Sequence, residues 1–135
     1  MAIKPLAIAA CTVINALGRG CAASLAALRR GESGLRPCNF EDADLPTWIG
    51  QVAGLEDAPL SGEFAVFDCR NNRLARLGLA QDGFSVAVQE ARARYGADRI
   101  GVFIGTSTSG IGATEQAYRQ RDLVTGSLPD AFDYQ

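Results

Sequence analysis

At 135 residues the chain is long enough for one domain with a core of its own, and its 47% hydrophobic and 21% charged content is ordinary for a globular protein. A net charge of -2 with no basic cluster excludes a phosphate-neutralising surface, so nucleic acid is not an expected partner. The sequence has no histidine, which excludes an imidazole base, a histidine metal ligand and a Ser–His or Cys–His pair.

Cys11, Cys21, Cys38 and Cys69 follow no metal or redox-motif spacing, so free buried thiols in a reducing cytoplasm are expected. No apolar run is long enough to span a bilayer, and no membrane partner is expected. The N-terminus has a lysine, an apolar stretch and small residues, as a signal peptide does. Thr12 and Asn15 interrupt that stretch, and Arg19 stands where small residues should lead to cleavage.

In chain order, residues 5–12 read as a buried strand and residues 15–20 as a turn. Residues 21–30 read as a helix with Ala22, Leu25, Ala26 and Leu28 on its apolar face, ended by Arg29, Arg30 and Gly31. Gly18-x-Gly20-x-x-Ala23 at this opening is a loose dinucleotide fingerprint. Its glycines lie several residues beyond the strand, and the next segment is proline-rich where a second parallel strand is required. Turn glycines before an ordinary helix are the simpler reading.

Residues 32–62 hold Pro37, Pro46 and Pro59 with acids at Glu41, Asp42 and Asp44, and read as a long surface connection. The acids lack ligand spacing and read as a solvated face rather than a metal site. One short strand is expected within residues 48–52. Residues 64–67 fit either an edge strand or the approach to a helix. Residues 70–95 read as one long helix, with Leu74, Leu77, Phe84, Val88, Ala91 and Tyr95 on one face and Gly78 and Gly83 weakening it. Arg73 and Arg76 read as part of its charged face rather than an anion site.

Ile100-Gly-Val-Phe-Ile104 is a short apolar run that predicts a strand buried on both faces. It leads into Gly105-Thr106-Ser107-Thr108-Ser109-Gly110, a loop without a large side chain, followed by a helix over residues 113–121. Three chemistries compete for this loop. Its glycine spacing begins a phosphate-binding P-loop, but Ile111 and Gly112 replace the lysine and the hydroxyl residue which that loop needs. Ser107 and Ser109 lack both a nucleophile elbow and a histidine to activate them. The steric reading is preferred: small residues at a strand end admit an acyl chain or a partner backbone.

The order of these features resembles the N-terminal part of β-ketoacyl-acyl carrier protein synthases, the condensing enzymes of the thiolase superfamily. The pieces that carry the resemblance are the Asn15-Ala-Leu-Gly18-x-Gly20 turn, Leu28-Arg-Arg-Gly-Glu-Ser-Gly-Leu35, Arg73-Leu-Ala-Arg-Leu-Gly-Leu-Ala80 and Arg99-Ile-Gly-Val-Phe-Ile-Gly-Thr-Ser-Thr-Ser-Gly-Ile111. The last looks most like synthases of the aryl-polyene type. The resemblance implies a layered α/β/α/β/α fold with a mixed sheet and packed helices, of which residues 1–135 would be a partial domain ending before the nucleophile. It also implies acyl transfer to a cysteine and condensation with malonyl-carrier protein, in fatty acid or polyketide-like synthesis. The implied partners are an acyl carrier protein and a second ketosynthase-like subunit in a homodimer or heterodimer.

By the same resemblance, Gly105, Thr106, Ser107, Thr108, Ser109 and Gly110 would lie near the acyl pocket and the dimer interface, with Thr108 where the family often gates the chain. No catalytic residue, metal ligand or cofactor is expected in this chain: it lacks the family's Thr-Ala-Cys-Ser-like turn and both histidines. The alternatives are a non-catalytic α/β interaction module and, behind it, a nucleotide-binding domain built on residues 18–23.

Overall fold

Asn15 organises the first turn. In the computed structural model, which describes residues 5–40, 44–106, 110–130 and 132, Asn15 Oδ1 accepts the Leu17 backbone N–H at 2.8 Å. That bond closes a tight bend between β1 (Ile14–Asn15) and β2 (Gly18–Arg19), which pair antiparallel with Ile14 opposite Arg19 and Asn15 opposite Gly18. The Asn15 amide also donates to Ser24 Oγ at 3.2 Å, tying the hairpin to α1 (Cys21–Arg29). Hairpin and helix approach closely: a Cβ added to Gly18 would stand 2.8 Å from Ala23 Cβ.

α1 ends as its sequence predicts. Gly31 adopts a left-handed φ of 66°. The Glu32 N–H donates to the Ala27 carbonyl and the Gly31 N–H to the Leu28 carbonyl, each at 3.0 Å, satisfying carbonyls that the helix end would leave unpaired. The chain then forms a second hairpin, β3 (Leu35–Pro37) against β4 (Trp48–Gly50), antiparallel with Arg36 opposite Ile49. The two hairpins touch at Ala16. A Cβ on Gly34 would fall 2.6 Å from the Ala16 carbonyl carbon and 2.7 Å from its oxygen. Only glycine allows that contact without moving backbone.

Residues Gly62–Phe67 form a 3-10 turn, so the alternative of a helical approach holds over an edge strand. The long helix read over residues 70–95 is two helices, α2 (Arg70–Leu79) and α3 (Phe84–Tyr95). The break has a backbone cause. Asp82 and Gly83 both take left-handed φ values, 54° and 67°, which an α-helix cannot contain. The turn is well satisfied: Gln81 Nε2 donates to the Leu77 carbonyl at 2.8 Å and the Ser85 hydroxyl to the Leu79 carbonyl at 2.7 Å. α4 (Ile111–Arg119) starts and stops two residues before the helix read over 113–121.

Strand content departs most from the sequence reading. The described strands form a pair of two-stranded antiparallel sheets, not a mixed sheet. Residues 5–12 lie outside any strand, as do residues 100–104, where Val102, Phe103 and Ile104 are 77%, 96% and 84% exposed. The physical reason is common to both stretches. A strand exists by pairing, and no described strand lies beside either one to take its backbone groups. The cysteines are free, but Cys11 is exposed and the other three are half-buried rather than buried.

The core is correspondingly small. Among the described residues the buried apolar side chains are Ala27, Leu55 and Ala117. The chain exposes 11180 Å², where a compact monomer of 14.2 kDa exposes about 6,800 Å². No helix among the described residues is long and apolar enough to cross a membrane.

Candidate functional site

The small-residue loop begins beyond the exposed run of residues 100–104 and ends at α4. Gly110 is the residue before α4 and needs its glycine, because its φ is 71°. Gly105 needs it for no such reason: its φ is not left-handed, and a Cβ added there meets nothing within 4 Å among the described residues. The Thr106 hydroxyl accepts a hydrogen bond from Asn71 Nδ2 at 3.3 Å, which moors the loop to the first turn of α2. Ser107, Thr108 and Ser109 lie outside the described residues.

Beside the other edge of that helix turn, Arg70 lines an open cleft of about 510 Å³ together with Arg36, Phe40, Gln51, Leu55, Glu56 and Asp57. Arg70 stacks its guanidinium 4.7 Å from the Phe40 ring centroid and pairs with Glu56. Arg73 joins the same network, 3.4 Å from Glu56 and 2.5 Å from Asp68. Asp68 also accepts the Leu60 N–H at 2.9 Å. The Arg73 guanidinium first, and that N–H second, hold the Asp68 carboxyl at about 2. Arg73 is therefore committed to internal carboxylates. The lining cations Arg36 and Arg70 stand against Glu56 and Asp57, so the described lining of the cleft carries no excess charge. No described residue of the small-residue loop lines it.

Asp82, which the sequence reading did not single out, joins distant parts of the chain. Its carboxylate accepts the Cys21 backbone N–H, with both oxygens 3.0 Å from that nitrogen, at the N-terminus of α1. The Thr12 hydroxyl lies within reach of Asp82 Oδ2 at 3.0 Å and of the Gly78 carbonyl at 2.9 Å. The Cys21 N–H above all, with the Thr12 hydroxyl, lowers the Asp82 carboxyl below its ordinary range. This carboxylate stands where the dinucleotide fingerprint would put a pyrophosphate. A phosphate at Gly18 to Ala23 would have to displace Asp82 from the helix end. The signal for the turn was in the sequence: Asp82-Gly83 is a turn dipeptide inside an otherwise helical pattern.

Cys21 has a second neighbour. Its Sγ lies 3.9 Å from Cys11 Sγ, two thiols that sequence spacing did not associate. Partial burial, followed by the Asp82 carboxylate, pushes the Cys21 thiol up to about 11. Among the described residues, no group of three or more histidine, cysteine or acidic side chains is placed to hold a metal ion. No protein-family model matches the chain, and no curated protein or solved structure is significantly similar to it.

Proposed function

We propose that this chain is the N-terminal segment of a 3-oxoacyl-acyl carrier protein synthase, contributing scaffold, subunit contacts and part of an acyl pocket. The layered thiolase-like fold and the cytoplasmic setting belong to the same proposal. The observation that carries it is the pairing of an exposed apolar segment with a glycine that no described residue of its own chain crowds. Val102, Phe103 and Ile104 present their side chains to the surface, and the space beside Gly105 is filled by no described residue. A second subunit would cover the first feature, and an acyl chain would use the second. The motifs around Asn15 to Gly20 and Arg99 to Ile111 stand in the order such a synthase would have.

The chain has neither a cysteine in a Thr-Ala-Cys-Ser-like turn nor a histidine, so the condensation itself would belong to residues outside this sequence. The acyl carrier protein would deliver substrate to the assembled enzyme. Assembly of residues 1–135 with the sequence encoded after Gln135 tests the reading. Condensation of an acyl thioester with malonyl-carrier protein is the expected result, and the substitution Thr108→Phe should shorten the longest acyl chain accepted. An unchanged chain-length profile would remove Thr108 from the pocket, and the absence of a cysteine-bearing turn from the gene would remove the catalytic content.

The same exposed segment suits a non-catalytic interaction module, in which a partner strand pairs with residues 100–104. Such a module would bind its partner without turnover and with no dependence on an acyl thioester.

A further inference from the structure

We infer that Cys11 and Cys21 are a redox pair, which peroxide converts to a disulfide that staples the segment before β1 to the N-terminus of α1. Their sulfurs are 3.9 Å apart. A disulfide needs a separation of about 2 Å, so the thiols lack only a short approach. Cys21 is held in place. Its backbone N–H is bound by Asp82, and it is the first residue of α1. Cys11 is exposed and belongs to a stretch outside any helix or strand, so its side chain can make that approach. Cys21 Sγ also lies 3.8 Å from the Cys11 carbonyl oxygen, so the two residues stand side by side. Cys38 and Cys69 are free thiols without such a sulfur neighbour.

The order of events follows from access. The exposed Cys11 thiolate attacks hydrogen peroxide, forming an S–O bond, breaking the O–O bond and releasing hydroxide. The Cys21 thiolate then attacks the Cys11 sulfenic sulfur, forming the S–S bond and expelling hydroxide. With the two thiol protons counted, two thiols and one peroxide give one disulfide and two waters. The raised pKa of Cys21 makes it the poorer first nucleophile and leaves the initial attack to Cys11.

The test is oxidation of the full chain with hydrogen peroxide, followed by thiol alkylation and peptide mapping by mass. The expected product is an intramolecular 11–21 cross-link with Cys38 and Cys69 still alkylated. It should persist when Cys38 and Cys69 are both serine, and vanish with Cys11→Ser or Cys21→Ser. Because neighbouring cysteines also meet in an unfolded chain, the pair is equilibrated against a glutathione buffer with and without urea. Folding should raise its effective concentration at least about tenfold, equivalent to about 30 mV in potential. Equal values in buffer and urea, a cross-link to Cys38 or Cys69, or four alkylated thiols after peroxide would each overturn the inference.

Discussion

Two regions of this molecule are held in opposite ways. The first joins Thr12, the β1–β2 hairpin, the start of α1 and the turn between α2 and α3, with Asp82 at the centre. It contains few large apolar side chains, and its contacts are hydrogen bonds and glycine-permitted close approaches. The second runs from Ile100 to α4. It is rich in large apolar residues, yet its tie to α2 among the described residues is the Asn71–Thr106 hydrogen bond. Hydrophobicity therefore does not mark the better-packed part of this chain. Polar groups that find partners fix position, while apolar groups without a facing surface remain exposed.

The contrast can be broken from the packed side first. Gly34→Ala drives a methyl group into the Ala16 backbone and should destabilise the fold by about 1–3 kcal/mol in urea unfolding. A loss close to zero would mean that the hairpin contact yields easily. Asp82→Asn should come next. The Asp82 carboxyl titrates below its unfolded value, so its contribution is complete above about pH 4 and is lost as pH falls through the folded value. The variant should be less stable than the parent at neutral pH, with the gap closing in acid. A gap independent of pH would assign the effect to shape rather than charge. The smallest effect belongs to the exposed side. Phe103→Ser should change unfolding stability by less than about 0.5 kcal/mol while lowering self-association measured by light scattering. A large loss of stability would show that Phe103 packs within its own chain.

How far the sequence disclosed this arrangement follows the range of the forces involved. α1 and its Gly31 stop were legible, because propensity and helix-end hydrogen bonds act within a few residues. So was the short strand at Trp48, read from its β-forming residues, although its partner Leu35–Pro37 was not. The split between α2 and α3 was written in Asp82-Gly83 but was outweighed by the apolar spacing across it. The strands expected at residues 5–12 and 100–104 failed for another reason: composition favours extension, but pairing depends on where another strand lies. The small-residue loop was legible as small, and its role depends on what faces it. The Asp82 interactions were not legible, because they join residues 61 and 70 positions apart.

That separation bears on how the chain acquires its structure. α1 is complete in sequence at Arg29, but the carboxylate that caps its first amide arrives only with residue 82. Until residue 82 is made that amide can only be hydrated, and a nine-residue helix held by its local bonds alone is marginal in water. Docking the α2–α3 turn on α1 closes an interval of 61 residues, and that loop-closure entropy opposes the contact. Synthesis from the N-terminus supplies the hairpin and α1 first, and the Asp82 cap can be added only after about fifty further residues.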